Sequence, residues 1–162
     1  MNSQITITHN DISTEKTLYN TDFYKWALHN ANLIRQGRFA EIDVENVAEE
    51  LESMGRSEKK ELFNRLSVLI MHLLKLQYQQ KRRSNSWIKT IYTQRVDIKI
   101  LLEENPSLKY ELELIIAKAY ERAGLLFTKE TGISKYTLPA ICPYTYEQLS
   151  DDEFWPKEFS KG

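Results

Sequence analysis

Glu50, His72 and Arg95 are the residues of this sequence best suited to chemistry, because each ionisable group lies on or beside a stretch whose pattern calls for burial. With successive residues about 100° apart around a helix, Glu50 borders a Val47–Leu51–Met54 stripe. His72 falls with Arg65 along one edge of a Leu62–Leu66–Leu69–Leu73–Leu76 stripe, and Arg95 lies inside a Trp87–Ile91–Ile98–Leu102 stripe. A guanidinium among leucines and isoleucines needs a counter-charge, since an unpaired buried charge is very costly. Glu50 is the carboxylate best placed by pattern, and His72 can donate to or accept from either. The trio therefore reads in two ways. It is an internal network that fixes helix register, or it is a cleft in which desolvated Glu50 acts as general base, Arg95 clamps an anion and His72 serves as acid or ligand.

Metal chemistry is not expected. Glu50 and His72 supply two ligands where a stable site normally needs three or more. No HExxH, GxGxxG, P-loop, GxSxG or CxxC pattern occurs, so no cofactor is expected either. The second candidate is the basic turn Lys81, Arg82 and Arg83, preceded by Lys75 and followed by Lys89. It would grip phosphate if Trp87 or Tyr78 stacked on a base; otherwise it is a solvated loop. Cys142, the only cysteine, precedes Pro143, has no base beside it and reads as a buried or half-buried thiol. His9 and His29 read as surface residues.

The elements that must position these groups are helical throughout. A first helix is expected over about 21–36, with Phe23, Ala27, Ala31 and Ile34 repeating at helical spacing, Trp26 and Leu33 alongside, and Gly37 as its stop. A second is expected over about 44–54, capped by Asp43 and ended by Gly55. The third, over about 57–79, is apolar nearly all round and so should be the hub. The fourth spans about 86–104, with Ser84 or Ser86 as cap. The fifth opens at "ENPSL", with Asn105 as cap and Pro106 at the first position, and closes at Gly132. Thr145 with Gln148 fits a capping box for one short turn. Phe154, Trp155 and Pro156 should fold back as an apolar plug.

The expectation is an all-α, single-domain bundle of about five main helices with a short C-terminal helix and an irregular tail. Residues 1–18 would form a mobile arm whose "ITITH" stretch could pair as a strand, 19–156 the helical domain, and 157–162 a tail. At 162 residues the chain is long enough for one sizeable core. Its 22 basic and 23 acidic residues give a net charge of −1, so no whole-molecule attraction to nucleic acid or anionic membrane is expected. The longest oily run, from Val68 to Tyr78, is too short and too polar to span a bilayer. One cysteine and no signal-like start make a reducing cytoplasm the expected location.

The motifs "YNTDFYKWALHNANLIRQGRF", "DVENVAEELESMGRSEKKEL", "HLLKLQYQ", "RSNSWIKTIYTQR", "ENPSL", "AYERA", "ETG", "CPYTYEQL" and "DDEFWP" occur in that order. Over roughly residues 19–156 the chain thereby resembles the bacterial, largely cyanobacterial, domain-of-unknown-function family 29. The resemblance implies a helical intracellular protein, often present as several related copies per genome, and carries over no catalytic or binding residue. Leu76 departs from the tryptophan the family often has there. A small helical interaction or regulatory module, acting through a protein partner or as a homo-oligomer, is the leading expectation. A hydrolase or nuclease built on Glu50, His72 and Arg95 is the rival, and nucleic-acid binding through Lys81–Arg83 the third.

Overall fold

The computed structural model describes residues 18–157, so the expectations for the N-terminal arm and most of the C-terminal tail lie outside the described residues. All regular structure among these residues is helical: α1 (Phe23–Arg35), α2 (Val44–Tyr78), α3 (Asn85–Glu104), α4 (Leu112–Thr131) and the short α5 (Tyr146–Ser150). Short 3₁₀ turns lie at Phe39–Glu41, Gln80–Arg82, Pro106–Glu111 and Lys135–Thr137. No helix among the described residues is long and apolar enough to cross a membrane. Internal contacts divide the described residues into two compact units, 18–55 and 56–157, and α2 supplies residues to both.

The expected second and third helices are one. Gly55 does not break α2, because only Gly37 and Gly132 adopt positive φ and Gly55 stays in the helical well. A mid-helix glycine costs about 1 kcal/mol against alanine, which strong helix formers on either side (Glu49, Leu51, Glu52, Glu58, Lys59) outweigh. Residues 51–58 are nevertheless all exposed, so these two turns are held by propensity and local pairing rather than by packing. A Cβ added at Gly55 meets nothing within 4 Å. Gly55→Ala should therefore raise the unfolding free energy by about 0.5–1 kcal/mol, read by urea denaturation; a loss of stability would mean that the helix needs glycine there.

In the N-terminal unit, Asp22 caps α1 by accepting from the Lys25 amide at 3.0 Å, and Gly37 ends it at φ +71°, a conformation that glycine enters without penalty. The inward side of α1 is Trp26, Asn30 and Leu33. Around it the polar groups satisfy each other. Trp26 Nε1 donates to Asp43 Oδ2 at 3.1 Å, Asn30 Nδ2 to the Trp26 carbonyl at 3.0 Å, and the Asp43 amide to Asn30 Oδ1 at 2.9 Å. Asp43 also receives the Asn46 amide at 3.5 Å, a long version of the expected cap.

The C-terminal unit is built on the second half of α2. Leu62, Leu66, Leu69, Ile70, Leu73 and Leu74 are wholly buried there, as the all-round apolar pattern requires of a hub. Ile91, Ile98 and Leu102 of α3 and Ile115, Ala119, Ala123 and Phe127 of α4 complete the core. Ser84 caps α3 through the Trp87 amide at 3.3 Å, and the Thr145–Gln148 capping box forms at α5. Asn105 does not cap: its Nδ2 donates back to the Leu101 carbonyl at 3.1 Å. The segment after it winds first as 3₁₀, with the Leu108 amide on the Asn105 carbonyl, before α4 begins at Leu112. Phe154 and Trp155 pack on the core and Pro156 is buried, as an apolar plug should be.

Candidate functional site

Each of the three ionisable residues has hydrogen-bond partners within its own unit. Glu50 belongs to the N-terminal unit, where its Oε1 accepts from Tyr19 Oη at 2.5 Å. That bond, first among the causes, holds the Tyr19 phenol above its ordinary pKa. His72 belongs to the C-terminal unit, 22 residues further along the sequence.

Arg95, only 3% exposed, finds its compensation in backbone carbonyls rather than in a carboxylate. Nε donates to the Leu149 carbonyl at 3.0 Å and Nη2 to that of Phe154 at 2.8 Å. Longer bonds of 3.4 Å reach the carbonyls of Asp152 and Gln148, and the guanidinium sits 5.3 Å from the centre of the Trp155 ring. Its fork engages the unpaired carbonyls at the end of α5 and the chain that follows. Burial pulls its pKa down, opposed by the nearby Asp152 and Asp151. So placed, Arg95 is a clasp for the C-terminal segment, with its donors engaged. The pattern argument found the buried guanidinium but named the wrong counter-group, because carbonyl acceptors leave no mark in residue type.

His72 Nδ1 stands 2.9 Å from the Val68 carbonyl, one turn back. A carbonyl only accepts, so Nδ1 carries the proton and the neutral ring keeps its lone pair on Nε2. Burial, the largest influence, lowers the imidazole pKa; Lys75 lowers it further, while the Val68 bond and Glu130 raise it. Lys75 reaches Glu130 Oε2 at 2.7 Å with its ammonium 4.3 Å over the Trp87 ring, and Tyr144 Oη donates to Gln77 Oε1 at 2.6 Å. His72, Lys75 and Gln77 thus each have a partner within the C-terminal unit.

A pH dependence follows. The folded-state pKa of His72 lies below 6.5, its ordinary value, so the unfolded chain binds the proton more readily. The associated stability is whole above pH 6.5 and is lost as pH falls toward the folded value. Between about pH 7.5 and 5.5 the native protein should lose stability that His72→Gln does not lose. Parallel urea midpoints for the two proteins across that range would count against it.

The basic turn is exposed on a 3₁₀ turn, beside a shallow recess of about 250 Å³ lined by Tyr78, Gln79, Gln80, Lys81 and Arg82. The aromatic platforms expected near it are engaged internally: Tyr78 packs edge-on against Phe127 at 5.7 Å, and Trp87 carries the Lys75 ammonium. A second recess, of about 190 Å³, is lined by Glu61, Arg65, Asp97, Ile100, Leu101 and Glu104. Arg65 there is neutralised by Glu61 at 2.8 Å and Asp97 at 2.5 Å. Cys142 is half-buried, and burial pushes its thiol pKa up, the opposite of nucleophile activation. No group of three or more His, Cys, Asp or Glu side chains able to hold a metal occurs among the described residues.

What the sequence pattern assigned to the core, and the structure leaves open, is the apolar surface of the N-terminal unit. Of the Phe23–Ala27–Ala31–Ile34 stripe, Phe23 is 51% and Ile34 44% exposed, and the two alanines are half-buried. The other stripe behaves alike: Leu51 is 64% and Met54 66% exposed, with Val44 equally open beside them. Tyr19 joins the two helices, packing on Phe23 and Trp26 while bonding Glu50. Helix α1 has two apolar sides, and periodicity alone does not say which turns inward. The signal was the polar pair: Asn30 and Asp43, buried and mutually bonded, mark the inward side.

A family model described as "Domain of unknown function DUF29" matches residues 18–155. No curated protein and no solved structure matches the chain.

Proposed function

The chain belongs to the DUF29 family, whose description names no activity, and from that premise we propose that it is a helical interaction module whose N-terminal unit docks a protein partner. The single observation that supports this reading is the pair of open apolar stripes on α1 and the first turns of α2. Soluble monomers rarely leave contiguous apolar surface open without a use for it. Meanwhile the ionisable groups that an enzyme would need are engaged: Glu50 by Tyr19 and Arg95 by four carbonyls.

The complex should be purified at native expression level from the protein's own cells and compared with the chain alone by amide hydrogen exchange. Protection is expected over 23–35 and 44–54 in the complex, with the 56–157 core unchanged. Protection confined to residues 56–157, or a chain that purifies alone with the same exchange pattern, would overturn the reading.

A further inference from the structure

We infer that the partner presents a basic amphipathic helix, which lies along the Val44–Val47–Leu51–Met54 seam of α2; this rests on the docking role proposed above for the N-terminal unit. The spacing of three, four and three places these four side chains within one narrow sector of α2, with Ala48 and Gly55 beside them. That is the seam a second helix packs into, knobs between neighbouring turns, and the two small residues let its backbone come close. The seam is open: Val44, Leu51 and Met54 are each about two-thirds exposed, and only Val47 is half-buried.

Charge decides which helix fits. On the same 100° construction, Glu50, which also accepts from Tyr19, flanks the seam on one side and Glu45 and Glu52, each with an interaction of its own, on the other; no basic residue occurs between Val44 and Gly55, and Arg56 follows. Over residues 18–55 there are seven acidic and three basic side chains, a net of −4. Residues 56–157 carry 17 basic and 13 acidic, a net of +4. The near-zero charge of the whole chain hides this division. Flanking charges set partner choice in helix pairs, so lysines and arginines beside the incoming apolar stripe are favoured. A second copy seated seam to seam would set glutamates against glutamates, since a two-fold contact brings identical patches together.

The test uses the full chain and two synthetic helical peptides with one shared apolar stripe, flanked by lysine and arginine in one and by glutamate in the other. Binding is measured by calorimetry, and self-association by sedimentation. The basic peptide should bind and the acidic one should not, with affinity falling at least about tenfold between roughly 50 and 500 mM salt. Leu51→Gln with Met54→Gln keeps charge and helix propensity, alters only exposed side chains, and should weaken binding at least about tenfold. Equal or stronger binding of the acidic peptide, or self-association abolished by the double variant, would overturn the basic-helix inference while the docking role stands. Binding of neither peptide, with the chain monomeric, would overturn the inference as well. The hydrogen-exchange experiment then judges the docking role separately.

Discussion

Replacing Arg95 by methionine should cost about 3 kcal/mol of unfolding free energy and release the segment after Tyr144 from the core of the C-terminal unit. Methionine matches the length and apolar contact of the arginine stem, so the change isolates the guanidinium. What is lost is a fork that donates to the carbonyls of Leu149 and Phe154 at 3.0 and 2.8 Å, and more loosely to those of Gln148 and Asp152. Those carbonyls then stand without their donor at the end of a five-residue helix too short to hold itself. Trp155, whose ring faces the guanidinium, loses its cation as well. Arg95→Lys is the informative companion. It keeps the charge but offers a single point donor, so more than half of the loss should remain. Urea denaturation gives the stability and amide exchange over 144–157 gives the release. A loss below about 0.5 kcal/mol, within the range of ordinary surface changes, would show that the tail is held by its aromatics alone.

The second large effect is a contrast. Phe127 is wholly buried and packs edge-to-face on Tyr78, so Phe127→Ala should cost about 3–5 kcal/mol, the transfer loss plus the cavity left behind. Leu51→Ala, at 64% exposure on a helix flank, should stay within about 0.5 kcal/mol in the isolated protein. Both are leading apolar residues of a helical stripe, and pattern alone would assign them equal weight. Thermal or urea unfolding of the two variants reads the difference. If Leu51→Ala proved as costly as a core truncation, the N-terminal stripe would be covered in solution, and the docking surface would have to be withdrawn.

Much of the architecture was legible because it follows from local rules. The leucine-rich half of α2 had to be central, since no face of it was polar enough to meet water. Ser84 and the Thr145–Gln148 pair declared their caps by type and spacing, and Gly132 its stop. Gly55 misled because glycine both ends helices and, less often, sits inside them; the choice depends on φ, which residue type does not encode. Asn105 misled in the same manner, its amide turning back to Leu101 instead of forward. The candidate site was less legible. His72, Lys75 and Arg95 were recognisable as buried polar groups, but their partners (Val68 carbonyl, Glu130, the carbonyls after Gln148) lie on the backbone or far along the chain. The apolar stripes of the N-terminal unit were found correctly as stripes, yet amphipathic pattern marks a surface that wants covering without saying whether the same chain covers it.

The carbonyl clasp also bears on the order of events during synthesis. A polypeptide emerges from its N-terminus, and Arg95 is synthesised long before Phe154 exists. Until the stretch from Gln148 to Phe154 has been made, the guanidinium stays hydrated and the surface of α3 around it stays bare. Closure of the clasp therefore waits on the synthesis of Phe154, and a nascent product stalled short of it would leave the guanidinium without the Phe154 carbonyl.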